Sequence, residues 1–320
     1  MPVRYTSPSL GGQRVTYLRA GEWQAGVSLR WLEANRFFVG HDQNQALAPF
    51  GHPIDLNLTS IDLSLTYALT DRLALALAVP YVHASERRTY PDLQAHRASG
   101  SGIGDLNLTA NLWVGDPARH PHGNVSLGFG VKAPTGSNHQ TDRFFTPAGV
   151  SRQPVNQSIQ PGDGGWALLL HVEGFHQLFT RGFAYGSAFY SASLREHTDV
   201  PAPWPPFVPW AVPDVYTGRL GVAYGLMPEE GLAVSLGTRI DGTTMKDLFG
   251  GGDRYSRHPG WALSLEPGLS FARGRNQFTA SVPVRIAQNF MSSLVDQQNG
   301  RIIGGDLANA VVYFGYARRF

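Results

Sequence analysis

The chain has 320 residues, of which 42% are hydrophobic and only 16% are charged, and its net charge is +2 at pH 7. The charged fraction is well below the roughly 25% of an average soluble domain, and the small net charge gives no reason to expect a nucleic acid as partner. Cysteine is absent, which excludes disulfides, cysteine metal sites and thiol catalysis.

The first 22 residues are polar and contain glycine, without a regular hydrophobic period. The opening MPVRYTSPSL lacks the succession of charged, apolar and small residues of a secretory signal. We therefore expect a mature chain with an added Met1. We also expect residues 1–22 to form a separate segment, and residues 23–320 to form the folded domain.

Segments in which apolar and polar side chains alternate begin at Trp23, as expected for strands with one apolar face. The second segment, residues 55–69, changes phase near Ser60, which predicts a β-bulge. The third begins at Leu73, and we expect a polar loop over residues 85–102 after it. The same rhythm continues along the chain and gives about twelve strands.

Short and long connections alternate between these strands. Residues 70–72 and 179–182 are short turns, whereas residues 134–164 and 197–213 are long loops. This asymmetry is typical of a transmembrane antiparallel β-barrel with short periplasmic turns and long extracellular loops. Aromatic residues near the ends of the apolar rows indicate interfacial girdles. Residues 1–22 would then lie in the periplasm or inside the barrel.

The last segment, NAVVYFGYARRF, places Phe314, Tyr316 and Phe320 on one side of an extended strand. An apolar face ending on a bare terminus suits a bilayer better than water. A terminal phenylalanine after alternating aromatics resembles the C-terminal signal of bacterial outer-membrane barrels. This implies lipid and the barrel-assembly machinery as partners. The alternative is the edge strand of a soluble β-sandwich.

Three motifs lie in the middle of the chain: SGIGD at residues 101–105, KAPTG at residues 132–136 and GDGG at residues 162–165. Together with the strands around them, they resemble the outer-membrane transporter family known as the meta-pathway of phenol degradation. The resemblance implies a small channel for aromatic or other hydrophobic compounds in the outer membrane of a Gram-negative bacterium. It implies no catalytic residue.

The inward rows of the predicted barrel carry charges of both signs. They are Arg30, Asp62, Asp105, Lys132, His171, Glu173, Arg219, Arg239, Glu266 and Arg285. Charges inside a low-dielectric wall require partners or water. They either form a cross-strand lattice that braces the lumen, or form a constriction whose transverse field orients polar solutes.

Aromatic residues also occur in the predicted outer loops, at Phe144, Phe145, Trp204, Phe207 and Trp210. The last three lie in a proline-rich stretch, which favours stiff polyproline II geometry. This stretch either folds into the mouth as a lid or an apolar entrance, packs on the outer leaflet or neighbouring loops, or binds a partner protein. We hypothesise that these rings form an external funnel for apolar solutes.

Signals for enzymatic chemistry are weak. His171 and Glu173 share an inward face, and His120 and His122 lie two apart in a turn without a nearby third metal ligand. The sequence therefore predicts a passive channel for small solutes that uses no cofactor and no metal. The alternative is a structural barrel with an occluded lumen that binds a partner through its extracellular loops.

Overall fold

In the computed structural model, residues 17–47, 52, 54–202, 208–249, 251–252 and 254–320 are described. The barrel strands are β1 (Trp23–Ala34), β2 (Asp55–Ala68), β3 (Leu73–Thr89), β4 in two parts (Ala95–Ile103 and Leu106–Trp113), β5 (Gly123–Ala133), β6 (Ala167–Phe179), β7 (Gly182–Ser193), β8 (Val215–Met227), β9 (Leu232–Thr243), β10 (Gly260–Arg273), β11 in two parts (Asn276–Ser281 and Val284–Phe290) and β12 (Ala310–Arg319).

The strands form one closed antiparallel ring. Each strand pairs with its neighbours in the sequence, and β1 pairs with both β2 and β12, which closes the ring. Closure satisfies the backbone hydrogen bonds of the wall, as a bilayer requires. The prediction of a transmembrane antiparallel barrel of about twelve strands is confirmed.

The outer face of the ring is apolar and exposed. Leu63, Phe129 and Leu220 expose 55%, 57% and 68% of their surface. The same strands turn serine, threonine and charged residues inward. Such a continuous apolar exterior is unfavourable in water but suits the hydrocarbon core of a membrane. Across the described part of the chain, no helix has the length and apolar character to cross a membrane.

Short turns lie at one end of the barrel, which we call the turn side, and longer loops lie at the other, the loop side. Among the described residues, the loops contain the paired segments Phe38–Val39 with Asp42–Gln43, Thr141–Thr146 with Gly149–Pro154, and His197–Pro201 with Pro209–Ala211; the 3₁₀ turns Gln45–Leu47 and Gln157–Ile159; and the helix α1 (Leu294–Gln298).

The predicted β-bulge near Ser60 is wrong, because β2 pairs with β3 without a register shift from Asp55 to Ala68. Leu58 instead faces the inside of the barrel and is buried with Leu32 and Val82. The change of phase in the sequence therefore marks a change of environment on the inner face, from apolar near the loops to polar further down. The backbone itself remains regular.

The predicted polar loop over residues 85–102 is also wrong. β3 continues to Thr89 and pairs with the first part of β4 up to a tight turn at residues 90–94. The hairpin extends beyond Tyr81, an exposed aromatic residue of the kind that lies at the membrane interface. Its side chains therefore contact water and other loops and not lipid. Its polar composition therefore reflects its position outside the membrane.

Candidate functional site

A cavity of about 320 Å³ lies inside the barrel and extends to the turn side. Part of its wall consists of the small side chains Ala74, Ala76 and Ala78 of β3, whereas Leu75 between them points outward. Alternation along a strand produces this division between the two faces. Small-molecule sites typically measure ~300–1,000 Å³, so the cavity can hold one small solute.

A layer of charged side chains forms the end of the cavity nearer the loops. This charged layer consists of Asp62, His171, Glu173, Arg219, Arg239 and Glu266. Arg219 donates from Nε and Nη2 to the two carboxylate oxygens of Glu266, both at 2.8 Å, and Ser281 Oγ donates to Glu266 Oε1 at 3.0 Å. A bidentate, charge-assisted pair of this kind fixes both side chains.

Arg239 forms a second pair beside the first. Its Nε and Nη2 donate to Asp241 at 2.7 and 2.8 Å, and Thr217 Oγ1 donates to the same carboxylate at 2.7 Å. The guanidinium carbon lies 4.9 Å from the centre of the Tyr313 ring. Arg219 and Arg239 are register partners on β8 and β9. Like charges in this position destabilise a sheet, and the two carboxylates offset that repulsion.

The other members of the charged layer come from β2 and β6. Asp62 accepts a hydrogen bond from Ser60 Oγ at 2.5 Å, and His171 Nε2 lies 3.8 Å from Glu173 Oε2. Arg30 is fully buried beside this level, in register with Ser60 on β2 and with Tyr313 on β12. The predicted inward charges of the middle strands thus lie around a single level of the lumen.

The segment before β1 crosses the turn-side mouth. Gly21 donates its backbone N–H to the carbonyl of Ala68 on β2 at 2.8 Å. The Tyr17 hydroxyl donates to the carbonyl of His120, and its ring lies 5.0 Å from Trp113. These contacts link the end of β2 to β4 and the turn that follows it. Residues 1–16 lie outside the described residues, so the predicted boundary at residue 22 stays a prediction.

An apolar cluster lines the inner wall on the loop side. This apolar collar consists of Leu32, Leu58, Val82, Ala84, Ala98, Val155 and Ile159, each at most 3% exposed. Val155 and Ile159 belong to the loop between β5 and β6, which folds back and covers the inner faces of β1 to β4. A solute that enters from the loops would meet the apolar collar before the charged layer.

The three sequence motifs meet at the loop-side ends of β4 to β6. Lys132 Nζ pairs with Asp163 and lies 3.5 Å from Asp105 Oδ2. Asp105 also accepts the backbone N–H groups of Gly136 at 3.0 Å and Asp163 at 3.2 Å. A Cβ at Gly162 would lie 2.4 Å from the Gly136 carbonyl, so only glycine fits there. We call this arrangement the motif clamp. Because it lies at the loop-side ends of the strands, Asp105 and Lys132 are nearer the loops than the charged layer is.

Two glutamines hold the loop between β5 and β6 against the free edge of β4. The Gln140 side chain accepts from Ser101 N at 2.8 Å and donates to Ser101 O at 2.5 Å. The Gln160 side chain does the same with the backbone of Gln140, at 2.9 and 3.0 Å. The amides thus replace a missing strand and satisfy an edge that would otherwise remain open.

Arg285 lies at the loop-side mouth. It donates from Nη1 to Asp306 Oδ1 at 2.6 Å and to the carbonyl of Leu307 at 2.7 Å, and its guanidinium carbon lies 4.5 Å from the centre of the Phe38 ring. Burial raises the pKa of Asp306 to about 6, although Arg285 opposes the shift. These contacts tie the loop between β11 and β12 to the barrel.

The described loop aromatics pack against neighbours. Phe144 lies 5.4 Å from the Tyr90 ring, and Phe145 stacks on His96 at 3.6 Å. Trp210 is only 7% exposed. Phe144 and Phe145 remain partly exposed, and the hypothesised funnel stays a prediction. Trp204 and Phe207 lie outside the described residues.

Sequence reasoning missed Asp241, Ser281 and Tyr313. Asp241 follows Arg239 by two residues on the same face, a spacing that the sequence displays. Ser281 and Tyr313 reach the charged layer only through strand register, which the sequence does not display. Within the ranges that the structure describes, no group of three or more histidine and acidic residues has the geometry of a metal site.

A closed barrel with an apolar outer face and a polar lumen defines an outer-membrane β-barrel protein. The family model described as putative MetA-pathway of phenol degradation matches residues 34–188. The resemblance to this outer-membrane transporter family, first seen in the motifs, is thereby confirmed. No curated protein matches the sequence.

The fold is shared with a solved outer-membrane channel, and two further outer-membrane proteins are more loosely similar. A COG4313 outer membrane channel from Pseudomonas putida F1 is 16% identical, with 99% of this chain and 100% of that chain covered and a TM-score of 0.66. The translocator domain of the autotransporter NalP from Neisseria meningitidis is 10% identical, with 96% and 91% covered and a TM-score of 0.49. The CymD monoaromatic hydrocarbon channel is 10% identical, with 97% and 94% covered and a TM-score of 0.42.

Proposed function

We propose that the protein is a passive outer-membrane channel for small aromatic or other hydrophobic solutes. The observation that carries this proposal is the cavity of about 320 Å³ inside a closed barrel, with the alanines of β3 as one wall. The family description names phenol degradation, and the similar structure from Pseudomonas putida F1 is that of an outer membrane channel. The proposal includes no enzymatic step and no cofactor.

The order of the inner surfaces suits such a solute. The apolar collar offers a surface on which an aromatic ring loses contact with water, and the charged layer offers hydrogen bonds to a polar substituent. Passage from the loop side follows the apolar collar, in which Val155 and Ile159 cover the inner wall. Diffusion down a gradient then needs no energy source.

Two substitutions on adjacent residues of β3 test the proposal. Ala76→Trp places an indole in the cavity, whereas Leu75→Trp places the same group in the lipid. In cells deleted for the gene, complementation with Leu75→Trp should restore uptake of labelled toluene to the wild-type rate. Complementation with Ala76→Trp should restore much less. Equal uptake with both variants would overturn the proposal.

The alternative is a structural barrel that binds a partner through its loops. Its support is the position of residues 17–21 across the turn-side mouth and of Ile159 over the inner wall. On this alternative, uptake in the deletion strain would equal that of the wild type. Uptake that depends on the gene and on the cavity favours the channel.

A further inference from the structure

We propose that the charged layer binds the carboxylate of a small amphipathic acid through Arg219 and Arg239. The inference rests on the proposed function and gives its solute a chemical class. A site on a solute path needs to recognise a head group that differs from the apolar remainder. The two arginines offer a place for such a group at the end of the cavity.

Arg219 and Arg239 each have N–H groups that their salt bridges do not use. A guanidinium carries five N–H donors. Arg219 and Arg239 each donate from Nε and Nη2 to one carboxylate, that of Glu266 or of Asp241. Among the described residues, Nη1 of Arg219 and of Arg239 makes no hydrogen bond, while both side chains line the cavity. Their Cα atoms are register partners on adjacent strands and so lie ~5 Å apart, and both side chains reach the same cavity.

The neighbouring acceptors are already occupied. Glu266 accepts two hydrogen bonds from Arg219 and one from Ser281. Asp241 accepts two from Arg239 and one from Thr217. The β8–β9 wall therefore presents donors to the cavity. An ammonium carries donors only and has no acceptor to match them, whereas a carboxylate accepts from both guanidinium groups.

The rest of the cavity sets the orientation of the ligand. Asp62 and Glu173 lie on β2 and β6, and their negative charge disfavours a carboxylate on that side. The anion is therefore directed to the β8–β9 wall. Its apolar body then meets Ala76 and Ala78, whose small side chains leave room for one ring.

Calorimetric binding to the purified protein in detergent tests the inference with three probes of one size. We expect benzoate to bind most tightly, benzamide at least about tenfold more weakly and benzylamine weakest, because charge-assisted hydrogen bonds are roughly twice as strong as neutral ones. Benzamide equal to benzoate would overturn the requirement for an anion. Benzylamine equal to or tighter than benzoate, or no binding of benzoate, would overturn the site.

Variants assign the binding to the two arginines. Arg239→Lys keeps the charge but loses the fork, and the pair Arg219→Gln with Glu266→Gln removes one guanidinium without leaving its carboxylate buried alone. Each should weaken benzoate about tenfold or more, as expected for loss of a charge-assisted hydrogen bond. Arg119→Gln is the control, since the Arg119 side chain is 84% exposed in the turn between β4 and β5, and it should change the affinity little. An equal loss in all three variants would contradict the assignment.

The two proposals fail separately. Binding in detergent requires no transport, and uptake of toluene requires no carboxylate. If benzoate does not bind but Ala76→Trp still lowers toluene uptake, the carboxylate site is wrong and the channel stands. If benzoate binds at the arginines but uptake is independent of the gene, the site stands as a binding site and the channel is wrong.

Discussion

Arg219 and Glu266 form their salt bridge across an intervening strand. Arg219 lies on β8 and Glu266 on β10, and the residue of β9 in register with Glu266 is Gly237. Glycine contributes no side chain at that point, and the Tyr185 hydroxyl of β7 occupies the space where a Cβ would lie. The bridge ties three strands together on the inner face of the wall and holds the guanidinium at the edge of the cavity.

Glu266→Ala is predicted to destabilise the barrel because it leaves the Arg219 guanidinium buried without a carboxylate. The side chains expose only 9% and 2%, and loss of one member of such a pair costs ~3–5 kcal/mol. Replacement of both residues by methionine should cost less than the single change. Denaturant unfolding of the protein folded in detergent measures both. A single variant as stable as the double variant would contradict the coupling.

Lys132→Met is predicted to loosen the loop between β5 and β6, because it removes the cation between Asp105 and Asp163. Two facing carboxylates without a counterion repel each other, and the loop should become accessible to protease within residues 134–166. Lys246, the other lysine of the chain, is exposed, and Lys246→Met is the matched control. Cleavage at the same rate in both variants would show that the motif clamp does not hold the loop.

Ile159→Ala is predicted to weaken the apolar collar. Ile159 is fully buried, and such truncations typically cost ~2–5 kcal/mol. Because the contact is local, amide hydrogen exchange should speed up at residues 155–160 and not in the barrel strands. Val150→Ala, in the same loop at an exposed position, serves as control. Unchanged exchange at residues 155–160 would mean that the collar does not hold this segment.

The mouth loop between β11 and β12 is predicted to respond to pH through Asp306. Its pKa is raised by burial to about 6, above the ~3.9 of an unfolded aspartate. The folded state then binds the proton more tightly, and the stabilising contribution is full below about pH 4 and is lost as pH rises through about 6. Two pKa units limit the effect to about 3 kcal/mol.

Unfolding of the wild type and Asp306→Asn from about pH 4 to about pH 7 measures this contribution by difference. The wild type should lose stability relative to the variant as the pH rises. The opposite trend would mean that Arg285 outweighs burial and lowers the pKa of Asp306.

The wall of the barrel can be predicted from the sequence because successive side chains of each strand alternate between facing the membrane and facing the lumen. The solvent outside is hydrocarbon, so apolar residues mark the outward rows and polar residues mark the inward rows. Examples are Leu63, Leu127 and Leu220 outward, and Asp62, Ser126 and Arg219 inward. The rule fails at Leu58, where the inner face is itself apolar under a loop. Polarity of the neighbouring surface, which a single strand does not reveal, decides that position.

The site follows from the sequence only in part. Parity places Arg219, Arg239 and Glu266 inside the barrel, but the partner of each depends on strand register and on the reach of its side chain. Arg219 bonds to a residue two strands away, and Lys132 bonds to loop residue Asp163. Such pairs join residues of different strands or loops, so spacing along the sequence does not predict them.

Single-channel current across a planar lipid bilayer tests most directly whether the lumen is a path through the membrane. The wild-type protein and Leu75→Trp should produce current steps of equal size, because Leu75 faces lipid. Ala76→Trp should produce smaller steps, because its indole occupies the cavity. A protein that inserts without current, or equal steps from all three proteins, would contradict this account.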